Sequence, residues 1–440
     1  MNEPNNEQQP KKKNVFTNKN FTLTFLGALV SNVAALFYSF AVSFHILKIT
    51  ENNAFLQGLY LAVGGLTFCI VTLFGGVISD WFNKAKIMYI CDYLKGAIII
   101  GFTFLLIFVI KSQTGQVVSL FIVSILLNAI AGIFSPASSA LLPQIVDEDS
   151  FQQAQSYFSI LNSFQSIFGI LLAGVLYSFV SINVLFFVVG GCYILSAISE
   201  MFIKYHSEFE KREEKLTVKA VFGDIKTGFQ YIASIKSILA LMICILFINF
   251  FFAPFSENFV PYFVSTDVAS GNYMFQENLK PEMWSSFFSV LVGVGSLITG
   301  IVLSSIKQFE KSNRIIRWST LAVSLVFVAL AGFYLLFNQD IINLNAFLII
   351  MLLGSFLIGV LLVTINVPSS TAMMRIIDKD KFGKVSSVLN IGSQGLIPLA
   401  VLLGGTAITY IGSLGLVGVC AGGFLLIALI LFFNKPVREL

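Results

Sequence analysis

Long apolar runs closed by short polar segments recur along the whole chain. Within each run the apolar positions are continuous rather than alternating. That excludes the strands of a membrane β-barrel and leaves helices that are apolar on every side. A bilayer core of about 30 Å takes about 20 helical residues at 1.5 Å each. Runs of that length are predicted at 20–47, 56–79, 87–110, 117–142, 156–180 and 183–203. A second set follows at 237–263, 284–306, 315–337, 344–371, 386–411 and 414–433. The first run is far longer than the core of a signal peptide and lacks a small-residue cleavage site, so it reads as a retained span. The expected class is an all-α membrane protein with twelve transmembrane helices.

Composition agrees. Of 440 residues, 56% are hydrophobic and 11% charged, with a mean hydropathy of +0.86. A soluble fold with so little charge would leave large apolar patches in water. A net charge of +4 without a basic domain argues against nucleic-acid binding. The five cysteines lie inside apolar runs and read as free thiols, and His45 and His206 are too far apart for a metal site. No cofactor is implied, and no Walker loop is present to bind ATP.

Lys and Arg set the orientation. With both termini cytoplasmic in the cell membrane, all of the 27 except Lys48, Lys95, Lys111 and Lys280 fall in cytoplasmic segments. The longest internal polar interval, 204–236, separates six spans from six. The expected division is a tail at 1–19, a bundle at 20–203, a connector at 204–236, a second bundle at 237–433 and a tail at 434–440. The halves share a repeat. Pro136-Ala137-Ser138-Ser139-Ala140-Leu141-Leu142 leads to Asp147, Asp149 and Phe151. Pro368-Ser369-Ser370-Thr371-Ala372-Met373-Met374 leads to Asp378, Asp380 and Phe382. Both copies end an even-numbered span, so the repeat keeps its direction. Parallel six-helix bundles related by a pseudo-twofold axis along the membrane normal are expected, with a substrate site between them.

After the second run comes Gly75-Gly76-Val77-Ile78-Ser79-Asp80-Trp81-Phe82-Asn83-Lys84-Ala85-Lys86. This resembles the loop signature of the major facilitator superfamily, with Trp81 in place of the usual Arg and Asn83 in place of the usual Gly. The resemblance implies a gating loop of Gly76, Asp80, Lys84 and Lys86. Gly76 would let two helices approach closely. Phe134-Ser135-Pro136-Ala137 and its acidic loop resemble the branch of macrolide-efflux and multidrug permeases. The Gly169-to-Gly174 stretch resembles an exporter signature, with Ile170 replacing its Pro and Ala173 one Gly. The Arg that drug–proton antiporters often carry in span 4 is missing; Leu127 and Asn128 occupy that region.

Charges inside a span cost about 2.5–3.5 kcal/mol each, so each carries a functional expectation. Glu257, between Pro254 and Pro261 and near the outer end of span 7, is the first coupling candidate. It accepts a proton or attracts a cation, or simply reaches water as an interfacial acid. Asp92 is the second, unless it forms a self-neutralising pair with Lys95 three residues on. Glu200 is expected to pair with Lys204. Asn32, Asn128, Asn162, Gln165, Asn249, Asn366, Asn390 and Gln394 are candidates to line a cavity. The resemblance implies a monomeric secondary transporter, not an enzyme, exporting hydrophobic or amphipathic small molecules in exchange for protons. A lysophospholipid or siderophore carrier of the same fold, and a receptor or channel, are the alternatives.

Overall fold

In a computed structural model of the chain, short loops supply the residues that start the helices. The structure describes residues 15–146, 153–154, 157–158, 160–161, 164–204, 223, 229–305, 312–376 and 395–433. Helix α1 spans Lys19–Ile49, and the Asn18 side chain accepts from the backbone N–H groups of Asn20 and Phe21. Asn53 caps α2 (Ala54–Trp81), Asn83 caps α3 (Lys84–Phe108) and Ser112 caps α4 (Gln113–Ile145). Each cap satisfies a donor that the first helical turn leaves free.

A π-helical turn, Gln165–Gly169, leads into α5 (Ile170–Phe179), and α6 covers Ile182–Met201. Helix α7 runs over Lys236–Val268 and includes two π-helical turns. Then follow α8 (Pro281–Ser305), α9 (Ser312–Asn338), α10 (Leu344–Ile376) and α11 (Ile397–Phe433). Among the described residues there is no strand, and ten helices are long and apolar enough to cross a membrane. The fifth predicted run appears as the shorter apolar helix Ile167–Phe179. The last two predicted runs form the 37-residue α11, about 55 Å of helix and nearly twice a bilayer core. Its backbone breaks at Gly412 (φ 74°, ψ 169°), a conformation open only to glycine. Ser413 then lies against Tyr334 near the end of α9, and Phe432 against Trp318 near its start. Residues 413–433 therefore run antiparallel to α9.

Packing repeats between the halves. Helix α2 packs on α4 and α3 on both α4 and α6; correspondingly α8 packs on α10 and α9 on both α10 and α11. Separate apolar cores fill the two halves. One holds Phe186, Ile99 and Leu120 of the first half, and a larger one holds Phe259, Phe327, Phe424 and Tyr334 of the second. Ile232, in the part of the 204–236 connector that is described, is fully buried in the second core. The halves meet where α2 packs on α11 and α5 on α8. All five cysteines are free thiols.

The tight crossing next to the predicted gating loop is not at Gly76. A side chain there would meet nothing within 4 Å. Its neighbour Gly75 faces α4, and a Cβ on it would overlap the Gly132 carbonyl. The periodicity of α2 turns Gly75 inward, and the motif resemblance points one residue too far along. Gly75→Val is expected to destabilise the protein by about 1–3 kcal/mol through overpacking, whereas Gly76→Ala is expected to be neutral. Melting of the two variants in detergent, followed by size-exclusion chromatography, measures the difference.

Candidate functional site

Two prolines shape the middle of α7. Pro254 ends the first α-helical stretch, and the π-helical turn Phe255–Phe259 follows it. Pro261 has no N–H, so the carbonyl of Glu257 lacks the donor that an α-helix would supply four residues on. Gln57 of α2 takes this place: its Nε2 donates to the Glu257 carbonyl at 3.0 Å and to Ser43 Oγ of α1 at 2.9 Å. Gln57 is fully buried. Next to it, Gly58 lies against α11, where a Cβ would come within 2.6 Å of the Val401 carbonyl oxygen. Asn258, also fully buried, sits between Gly58 and Gly404. This is one seam between the halves. The other is at Gly174 of α5, which leaves no room for a Cβ beside Ser286 of α8.

The Glu257 side chain points away from this seam into open space. It lines a cavity of about 1100 Å³ together with Phe252, Phe255, Phe288, Ser289, Ser296 and Ser355. It also lines a smaller space of about 330 Å³ with Leu61, Asn249 and Pro398. Among the described residues lining either space, Glu257 is the one with an ionisable acid or base; the described walls are otherwise apolar with a few hydroxyls and the Asn249 amide. An ionised carboxylate in such surroundings needs a partner, and a proton or an organic cation supplies one. Helix α7 extends to Val268, and Glu257 is 11 residues short of that end.

A second group of charges lies inside the first half. Lys95 Nζ is 3.1 Å from Asp92 Oδ1, the expected pair, and also stands 4.2 Å from the centroid of the Phe134 ring. Glu200 does not pair with Lys204. Its side chain is fully buried with no hydrogen-bond partner on either oxygen, and it faces Gly27 of α1. Lys204 instead bonds through its backbone to the Asn20 side chain. Proximity along the helix suggested Lys204, but the side chain turns inward to α1.

The remaining candidates separate. Asn249 lines the smaller cavity. Asn128 donates to the Ser124 carbonyl of its own helix at 2.9 Å, and Gln165 is buried with Nε2 3.5 Å from the Leu29 carbonyl. Both serve packing. Asn32 and Asn366 are exposed on their helices. Asn162, Asn390, Gln394 and the Asp80 side chain lie outside the described residues. Lys84 is buried at the start of α3 and Lys86 is exposed. Sequence reasoning missed Gln57. The available signal was the spacing of Glu257 and Pro261, which frees a carbonyl at membrane depth.

Comparison with known proteins bears on the whole chain. A family model described as Major Facilitator Superfamily matches residues 93–315, which takes in parts of both halves. The uncharacterized MFS-type transporter YvqJ of Bacillus subtilis (strain 168) is 26% identical over 328 residues, 74% of this chain and 71% of that protein. YkuC, described likewise and from the same organism, is 23% identical over 386 residues, 85% of this chain and 82% of its own. Among solved structures, a bacterial homologue of the iron transporter ferroportin in an inward-facing state has a TM-score of 0.70 at 14% identity. It covers 96% of this chain and 99% of that one. A D-xylose-proton symporter has a TM-score of 0.71 at 12% identity, covering 97% and 99%. At such identities these structures share the fold.

The seam makes its own prediction. Gln57→Leu removes one buried donor at near-constant volume and is expected to cost the closed seam about 1 kcal/mol. That shifts the balance toward separated halves by about fivefold. Spin labels at the start of α2 and the end of α7 read the change as growth of a longer-distance population; an unchanged distribution means that the Gln57 bonds do not hold the seam.

Proposed function

This chain belongs to the Major Facilitator Superfamily, and on that premise we propose that it is a secondary active carrier exchanging bulky amphipathic cations for protons. The observation that carries this reading is the Glu257 carboxylate in its mostly apolar cavity. The cavity's size is at or above the upper end of small-molecule sites, which suits a bulky substrate. Its Phe252, Phe255 and Phe288 rings suit an apolar body, and the Ser289, Ser296 and Ser355 hydroxyls suit scattered polar groups. One carboxylate can be neutralised by a proton or by a cationic substrate but not by both. That competition is the minimal device for exchange. Macrolide-like amines fit this description; an anionic siderophore would meet repulsion.

The architecture in this proposal is twelve crossings, with α11 turning back at Gly412 and the apolar helix Ile167–Phe179 counted as the fifth. They form two six-helix bundles, with both termini on the cytoplasmic side of the cell membrane and one chain as the working unit. The repeated helix pairings support the pseudo-twofold arrangement. The Lys and Arg distribution supports the orientation. Alternating access then follows from rocking about the α2–α11 and α5–α8 contacts. The Gln57 seam closes the end of the cavity remote from the chain termini, and loading occurs from the other side. The predicted gating loop, centred on Asp80, belongs to that loading side.

Flux of a lipophilic amine dye into proteoliposomes with an imposed pH gradient tests the reading. Glu257→Gln is expected to lower gradient-driven accumulation about tenfold or more, the scale of one lost charge-assisted contact, and to flatten its pH dependence. Glu257→Asp is expected to keep part of both. Unchanged flux and pH response in Glu257→Gln would remove the carboxylate, and with it this proposal.

A further inference from the structure

We infer that Asp92, Lys95 and Glu200 form a proton-binding site inside the first half, separate from the cavity, in which Glu200 carries the proton. The argument begins with charge. Two carboxylates and one ammonium share the same interior, with relative exposures of 0% for Asp92, 6% for Lys95 and 0% for Glu200. Fully ionised, the group carries one net negative charge. Lys95 is already committed: its Nζ lies 3.1 Å from Asp92 Oδ1 and faces the Phe134 and Tyr193 rings at 4.2 and 5.2 Å from their centroids. Asp92 and Lys95 balance each other, and Glu200 has no donor on either oxygen. A buried, uncompensated carboxylate costs several kcal/mol, and one proton removes that charge.

Among the described residues, the packing around Glu200 offers no other neutralising group. Helix α3 presents Cys91, Asp92 and Lys95, and Tyr193 of α6 lies beside Lys95. Helix α1 presents a backbone: a Cβ on Gly27 would stand 2.9 Å from Glu200 Cγ. One turn earlier on α6, Ser196 Oγ donates to the Gly27 carbonyl at 3.0 Å. The acid is thus clamped between α1, α3 and α6.

The same geometry gives the proton an exit. Glu200 lies in the last turn of α6 (Ile182–Met201). Just beyond it, a two-bond clasp joins α6 to α1. Asn20 Nδ2 donates to the Lys204 carbonyl at 2.7 Å, and the Lys204 N–H donates to Asn20 Oδ1 at 3.0 Å. Both bonds are exposed, so opening them is inexpensive. Separation of α1 from α6 admits water to Glu200, which releases its proton to the solvent; closure takes a proton back. Proton occupancy and the α1–α6 contact are therefore linked, and anything that moves α1 against α6 shifts both.

Infrared difference spectroscopy of the purified full-length protein tests this without any substrate. The background is Glu257→Gln, which silences the cavity acid, and size-exclusion profiles confirm folding. A protonated-carboxyl C=O band is expected that vanishes in Glu200→Gln. Charge counting makes two further demands. In Asp92→Asn the band is also lost, because Glu200 ionises beside an unpaired Lys95. In Lys95→Met the band roughly doubles, because both acids then need protons. A band that survives Glu200→Gln, or no band to lose, overturns the site. A band that survives Asp92→Asn overturns the shared charge balance. Transport plays no part in the readout, so failure here is distinct from failure at Glu257.

Discussion

A peptide carbonyl at membrane depth has to find its donor within the protein, and the carbonyl of Glu257 is where this rule organises the molecule. Pro261 removes the donor that the helix would have supplied. Gln57 replaces it from the other half of the chain. To do so, α2 has to come close to α7 and α11, and only small residues allow that approach; Gly58 lies against the α11 backbone for this reason. The residue whose main chain closes the seam is also the residue whose side chain enters the cavity. Pro261 thus connects the inter-half contact with the position of the acid, and Pro254 precedes the π-helical turn that carries both.

The two acidic sites follow opposite designs. Glu257 faces space, and its partner is exchangeable. Asp92 and Lys95 face each other and Glu200 faces packed backbone, so neutrality has to be met within the cluster or by a proton. Isolated intramembrane charges cost about 2.5–3.5 kcal/mol on insertion scales. The first half meets most of this cost by pairing Asp92 with Lys95 and laying the ammonium against aromatic faces. In the second half, Glu257 stays accessible, which is what a group that must meet a moving ligand requires.

The helices were legible because a bilayer demands long apolar runs; the caps that start them, Asn18, Asn53, Asn83 and Ser112, emerged only with the structure. The break at Gly412 was visible only as a short gap between two apolar runs, since no polar loop marks it. Glu257 was legible as an acid flanked by prolines in an apolar run. The extent of its helix was not, because a helix that continues through π-helical turns does not stop where proline suggests. Gly75 against Gly76, and Glu200 against Lys204, failed for a shared reason. Local spacing names neighbours on the same helix, whereas the deciding contact is with another helix far away in sequence. Gln57 escaped for that reason too; its partner is 200 residues distant.

The strength of the seam matters more than its existence. A carrier has to hold one arrangement firmly enough to exclude leakage and weakly enough for its ligand to reverse it. The directional part of the α2–α7 seam is a buried donor shared by two acceptors, and a buried hydrogen bond is worth about 0.5–1.5 kcal/mol net. The rest is apolar contact that re-forms elsewhere when helices slide. A charge-assisted contact at Glu257 is worth about 1.5–3 kcal/mol. A ligand that makes such a contact in one arrangement and loses it in the other therefore commands enough free energy to open the seam, and a neutral ligand does not. The Gln57 bond and the Glu257 side chain belong to one short stretch of backbone, so changes at the carboxylate reach the seam through a single residue.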